Sequence, residues 1–256
     1  MEILVLALLG LVQGLCEFLP ISSSGHLVLL SNLFGIEDAL FVSIILHMAT
    51  LLAVVVIFRK EILYIIKHPL STLSMNIVIS TIPTCLIALL LMPIITKSFE
   101  GQFLPFAFLI SAILLLGSEI VYKKRQKLSF EGKFTSKTAL VMGIAQGLAV
   151  FPGISRSGTT ICAGLVQGGE KIESAKFSFL MSIPIIILSM IMEAGKIIIN
   201  SEAVQVNVAG LLIAFIIAFV VGMISIKAMI KLTSKVDFKW FVGYLLILSI
   251  ISFVVV

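Results

Sequence analysis

GLVQGLCEFLPISSSG, residues 10–25, and GIAQGLAVFPGISRSG, residues 143–158, are two copies of one sixteen-residue stretch, offset by 133 positions without a gap. Nine of the sixteen positions are identical, among them Gln13/Gln146, Gly14/Gly147, Ser22/Ser155, Ser24/Ser157 and Gly25/Gly158. The differences are chemical. Glu17, Ser23 and the adjoining His26 stand where the second copy has Val150, Arg156 and Thr159. A duplicated scaffold therefore carries an acid, a hydroxyl and an imidazole in one half and a guanidinium in the other. That division predicts one site assembled from two unlike halves.

Both copies lie in very apolar surroundings. Sixty per cent of the chain is hydrophobic and its mean hydropathy is +1.23, far above a soluble domain. Apolar runs of roughly 18–22 residues recur, long enough to cross a ~30 Å hydrocarbon core as helices. They lack the period-two alternation of barrel strands. The expected class is an all-α polytopic membrane protein. Glu2 and the lack of a small-x-small site speak against a cleavable leader. Cys16, Cys85 and Cys162 have neither metal-ligand spacing nor an even count, and read as small buried residues.

Six segments read as complete spans: 41–58, 77–95, 104–122, 175–198, 208–226 and 241–256. Residues 3–34 and 139–168 are different. Each holds about 30 residues, too many for one ordinary helix and too few for two spans. Each is also broken by proline and a Ser/Gly cluster. Non-helical backbone at membrane depth is tolerated where protein buries it or water reaches it. Each stretch is therefore expected to be a re-entrant helix–loop–helix, the alternative being a full span followed by a surface loop. One re-entrant segment plus three spans per half, 1–126 and 127–256, inverts the second half relative to the first. Inverted repeats with broken helices meeting at the midplane are an established way to build buried polar sites.

Charge supports that orientation. Loops at 59–75, 123–139 and 227–239, together with Lys171 and Lys176, collect 15 of the 18 basic residues. Placed in the cytoplasm, they obey the positive-inside rule with both termini outside. Lys97 and Lys196 fall on the other side, and Arg156 within the membrane. The net charge of +5 is a topology signal, with no nucleic-acid partner implied.

Ionisable groups at bilayer depth are costly and are functional candidates by default. Arg156 sits in a break, among Ser155, Ser157, Gly158, Thr159 and Thr160. Its forked donor suits phosphate or carboxylate oxygens, and a helix beginning there would favour an anion. The alternative is a structural Arg paired with an acid. Glu17 follows Gln13 by four residues, on one helical face. A carboxylate and an amide oxygen suit a hard divalent cation, Mg²⁺ or Ca²⁺, or else form a cap or an inter-helix hydrogen bond. Ser22, Ser23, Ser24 and Gly25 read first as a helix N-cap, but His26 can also serve a neighbouring serine as base. His47 reads as a packing residue, and Glu119 and Glu193 as snorkelling groups near span ends.

QGLCEFLPISSSGHL (13–27) and PGISRSGTT (152–160) resemble the two signature motifs of the undecaprenyl-diphosphate phosphatase family, the bacitracin-resistance membrane proteins. The resemblance covers the chain in length and segment order. It implies hydrolysis of a polyprenyl diphosphate in the bacterial cytoplasmic membrane, a divalent-metal requirement, and a headgroup site opening to the outer face. It also implies Gln13 and Glu17 at the metal-associated positions, Ser23 and His26 as catalytic Ser and His, and Arg156 as the phosphate-binding Arg. Ser22, Ser24, Gly25, Ser155, Ser157, Gly158, Thr159 and Thr160 complete the candidate substrate-binding set. The expected partners are the lipid substrate and the bilayer, with a homodimer allowed. Ser23 attacking phosphorus with help from His26, and water activated directly by His26 or Glu17, are both open. A transporter or lipid flippase is the rival function, since it shares the architecture.

The inverted arrangement makes a labelling prediction. Cysteine introduced at Ser201 reacts with an impermeant reagent from outside, and at Ser129 only after permeabilisation; equal accessibility rules the arrangement out.

Overall fold

The structure, a computed structural model, describes residues 2–36, 38–98, 101–127, 133–199, 206–233 and 236–255. Ser129 and Ser201 lie outside these. The side chains of Glu2, of residues 96–98, with Lys97, and of residues 196–199, with Lys196, are also outside the description. Eleven helices form among the described residues: α1 (Glu2–Cys16), α2 (Ser23–Phe34), α3 (Ala39–Ile57), α4 (Arg59–Lys67), α5 (Thr72–Ser98), α6 (Leu104–Lys127), α7 (Ser136–Leu148), α8 (Arg156–Val166), α9 (Lys171–Ile199), α10 (Val208–Thr233) and α11 (Lys239–Val255).

Five of them, α3, α5, α6, α9 and α10, are long and apolar enough to cross a membrane. The sixth expected span is α11, shorter at 17 residues. The loop expected at 59–75 contains the short helix α4, exposed and charged at both ends.

The two broken stretches fold as helix–break–helix. With 15 residues in α1 and 12 in α2, the arms are about 22 Å and 18 Å long at ~1.5 Å per residue. Neither reaches across ~30 Å of hydrocarbon. The breaks are buried within the protein: Glu17, Phe18, Pro20, Ile21 and Ser22 are buried, as are Ala149, Pro152, Gly153 and Ser155.

The halves interlock. α1 packs most extensively on α10, from the other half, and α7 packs in the same way on α5, while α6 and α11 pair with each other. Glycine makes this exchange feasible. A Cβ on Gly10 would lie 2.3 Å from the Ala214 carbonyl oxygen, and one on Gly143 would lie 2.2 Å from that of Ser80. Gly14 and Gly147, four residues on, lie against Ala218 and Ile87. The repeated G-x-x-Q-G is thus a small-xxx-small stripe that lets helix backbones touch, the usual device where apolar lipid supplies no drive for helices to associate. α10 answers with Gly210, Ala214, Ala218 and Gly222 at intervals of four.

At the basic end, a buried ion pair ties three segments together. Lys171 Nζ donates to Glu119 Oε2 at 2.8 Å and lies over the Tyr122 and Phe238 rings, 4.9 Å and 4.6 Å from their centres. Lys123 joins Glu119 and Asp237. Glu119, 2% exposed, is therefore no snorkelling group. It is a buried acid, and breaking such a pair typically costs about 3–5 kcal/mol.

Packing makes its own prediction. Gly10→Ala and Gly143→Ala should each lose about 1–3 kcal/mol through overpacking against backbone. Gly117→Ala, with nothing within 4 Å of the added Cβ, should leave stability unchanged or raise it. Thermal unfolding in detergent separates the three variants.

Candidate active site

Each break ends in a serine that caps the next helix. Ser22 Oγ accepts from Gly25 N–H at 3.3 Å and Ser155 Oγ from Gly158 N–H at 3.1 Å. The next serines stay close, with Ser22–Ser24 hydroxyls 3.4 Å apart and Ser155–Ser157 hydroxyls 3.5 Å apart. The shared residues of the repeat therefore build the same cap hydrogen bond twice, on different backbone: Ser155 has φ −71°. Among the described residues, Ser22 alone adopts a left-handed φ, of 67°, without being glycine, a strained conformation held by its surroundings.

The breaks then satisfy each other. Ser157 Oγ donates to the Leu19 carbonyl at 2.9 Å. A Cβ on Gly25 would fall 2.8 Å from Gly153 Cα, and one on Gly158 3.1 Å from Pro20. Ser111 of α6 takes the Ser155 N–H at 2.9 Å and donates to the Gly153 carbonyl at 3.3 Å. Non-helical backbone at depth is thereby paired within protein.

Glu17 is the centre of the unlike residues. Its carboxylate, 4% exposed as a residue, accepts from Ser23 Oγ at 2.5 Å and from Gln13 Nε2 at 3.1 Å. The Arg156 guanidinium reaches across from α8 and pairs with its other oxygen. His47 Nε2 stands 3.7 Å away. The two readings of Arg156 thus coincide. One amino group forms the acid pair, while the other, Nη1, is buried without a partner. A buried donor left unmade is costly, and a phosphate oxygen would complete it.

His26 is not brought to Ser23. Its Nδ1 bonds the Ser22 carbonyl at 2.6 Å and its Nε2 the Tyr244 hydroxyl at 2.7 Å. A carbonyl only accepts, so Nδ1 carries the proton and Nε2 accepts from Tyr244. The ring also stacks on Tyr244, with centres 5.7 Å apart. The Ser23 proton has Glu17 as its acceptor. Thr159 and Thr160 are also set back from the opening: Thr160 bonds Ser178 at 2.6 Å, and the Thr159 hydroxyl is buried without a partner.

The centre faces a cavity of about 160 Å³, whose polar lining is Glu17, Ser22, Ser23 and Ser24 from one copy's side and Gln146, Ser155, Arg156 and Ser157 from the other. His47 and Glu193 line it too. His47 is therefore a site residue rather than a packing residue. Its span gives no sign of a partner in sequence, because the partner lies on a different helix. Glu193 faces the cavity instead of snorkelling. Beyond lies an apolar chamber of about 540 Å³, which shares Ser24, Ser43, Ile185, Ser189 and Glu193 with the first cavity and runs along Cys85–Ile95 of α5.

A divalent cation fits here only with help from substrate. No group of three or more His, Cys, Asp and Glu forms among the described residues. Gln13 turns its amide nitrogen to Glu17, and its Oε1 is buried without a partner. One carboxylate and one amide oxygen, completed by phosphate oxygens and water, are a usual set for a hard cation at a phosphoryl site.

The chain's relatives are consistent across its length. Residues 6–251 match the family model described as bacitracin resistance protein BacA. An undecaprenyl-diphosphatase of Carboxydothermus hydrogenoformans is 39% identical over 95% of this chain and 93% of its own length. One of Thermosipho melanesiensis is 40% identical over 96% and 97%, and one of Bacteroides thetaiotaomicron 38% identical over 93% and 92%.

The split fork of Arg156 predicts that Arg156→Lys loses roughly 100-fold in kcat, the usual scale for removing a positioned donor. One ammonium cannot both hold Glu17 and meet a phosphate. Near-normal turnover of the Lys variant would leave only a charge requirement.

Proposed function

Because the chain belongs to the bacitracin resistance protein BacA family, we propose that it hydrolyses undecaprenyl diphosphate to undecaprenyl phosphate and inorganic phosphate. This is the activity its relatives are named for, and it returns the carrier lipid to cell-wall synthesis. One observation carries the reading from the geometry: the unpartnered Arg156 Nη1, beside Glu17 and Ser23, in a cavity bounded by the first turns of α2 and α8. Two helix N-termini and a guanidinium present donors to the two phosphates.

In this reading Arg156 and the two helix starts hold the diphosphate. Glu17 takes the proton of Ser23 across their 2.5 Å bond as Ser23 Oγ attacks the terminal phosphorus. The lipid phosphate leaves, and water clears the phosphoserine. Attack by water on the anhydride itself, with Glu17 as base, is the second path. Gln13 and Glu17 would hold a divalent cation, which neutralises charge on the phosphates. His26 fixes the turn at Ser22 through its two ring bonds. The apolar chamber takes the first isoprene units, so the chain stays in a lipid-like setting.

The architecture that goes with this is six crossings and two re-entrant hairpins in an inverted repeat, with halves 1–126 and 127–256. Two features support it: the exchange of α1 onto α10 and α7 onto α5, and arms too short to span. The apolar chamber follows the ends of α5 and α9 away from the basic loops. In a cytoplasmic membrane obeying the positive-inside rule, that is an opening to the outer face. A flippase without chemistry would leave the close Ser23–Glu17 bond without a use.

Purified protein given C55 diphosphate should release phosphate and lose that activity with chelator. Ser23→Ala should abolish turnover with thermal stability kept, whereas His26→Ala should lower stability by about 1–3 kcal/mol by orphaning buried polar groups. Substantial turnover by Ser23→Ala favours direct attack by water. A folded, inactive His26→Ala restores a chemical role to the imidazole.

A further inference from the structure

The duplicated motif puts a glutamine on each broken helix, and the two amides end in different surroundings. In the first half Gln13 Nε2 donates to Glu17 at 3.1 Å and to Thr50 Oγ1 at 3.3 Å. In the second, Gln146 Nε2 donates to Thr84 Oγ1 at 3.3 Å and to the Met181 carbonyl at 3.4 Å. The Thr84 hydroxyl spends its single hydrogen on the Ser80 or Gly143 carbonyl, each 2.8 Å away. Both neighbours of the Gln146 amide are therefore acceptors at that contact, and the nitrogen must face them. The orientation of the amide oxygen follows. Gln146 Oε1 is buried without a partner, the residue is 1% exposed, and it lines the cavity that holds Glu17, Ser23 and Arg156. Val150 stands where the first copy has Glu17, so no carboxylate on α7 engages this amide.

Arg156 and the helix starts offer donors, which phosphate oxygens satisfy. Gln146 Oε1 asks for a donor, which a deprotonated diphosphate lacks. A water molecule has two hydrogens, one for each of two acceptors. We propose that Gln146 is a catalytic residue that accepts a hydrogen bond from the attacking water and, together with Glu17, aims its oxygen at phosphorus. This rests on the hydrolase reading and holds for either path. The water oxygen forms the new P–O bond, and its other proton passes to Glu17. In direct attack the electron pair of the breaking P–O bond goes to the lipid phosphate. In the phosphoserine path Glu17 first passes the Ser23 proton to the departing lipid phosphate, then takes the water proton and returns it to Ser23 Oγ, which leaves phosphorus with the electron pair. An amide carbonyl that positions water in this way is a known device of phosphoryl-transfer sites.

Methanol tests the idea, because it has one hydroxyl hydrogen and cannot meet both acceptors. With C55 diphosphate and added methanol, the intact enzyme should favour inorganic phosphate over methyl phosphate. Gln146→Met keeps the size and removes the acceptor. It should lower kcat about 100-fold, the scale of a lost orientation of the reacting group, leave KM within about twofold, and raise the methyl phosphate share several-fold. Thr84→Val, at a residue outside the cavity lining, frees one of the two bonds that turn the amide. It should raise the same share by a smaller factor, and it serves if Gln146→Met does not fold. An unchanged product ratio in either folded variant overturns the proposal, as does wild-type kcat in Gln146→Met. Intact enzyme that releases no phosphate from the lipid sinks the hydrolase reading, and the role of Gln146 with it.

Discussion

Arg156 reaches from the second copy of the repeated stretch to Glu17 of the first, and the site forms around that pair. Glu17 is removed from water and Arg156 partly so, its side chain 21% exposed. The cost of burying two charges is offset only when each is paired and the remaining polar atoms are bonded. Glu17 meets that condition, with Ser23 and Gln13 on its oxygens. Arg156 meets it only in part, since Nη1 is left unpartnered. The deficit on the arginine side leaves a buried donor that a plain structural bridge would have satisfied.

Close helix contact makes the pair possible. Gly10 and Gly143 lie within a Cβ's reach of backbone on α10 and α5, so each broken helix is held by a span from the opposite half. The breaks are then pressed together, and their backbone groups bond across the repeat rather than to water. The same scaffold places the Glu17 carboxylate beside Ser23 and leaves the Gln146 amide oxygen buried without a partner. Most residues shared by the copies make turns and contacts, and residues that differ, Glu17, Ser23 and Arg156, make the centre, joined by the shared Gln13.

The fold was largely legible in the residues. Continuous apolar runs located α3, α5, α6, α9 and α10 to within a few residues, because length and hydropathy alone decide which segments can cross hydrocarbon. The two interrupted stretches were legible for the same reason, since the proline and serine clusters cannot continue a helix. Short α4 was not, because nine residues of mixed charge carry no strong period. Glu119 was misjudged because its partner Lys171 lies 52 positions away. The centre was half legible. Comparing the copies singled out Glu17, Ser23, His26 and Arg156, but it could not tell which of them meet.

What the sequence determined by itself was the class, the duplication and the short set of polar residues that a membrane interior tolerates only with a purpose. These follow from composition, period and internal comparison, which are local or self-referential properties. The tertiary structure alone decided the pairings. It put Ser23 on Glu17 and His26 on Tyr244, 218 positions apart, brought His47 to the carboxylate, and left the buried Gln146 Oε1 without a partner. Hydrogen bonds act over about 3 Å, and positions far apart in the chain reach that distance only after the helices have packed.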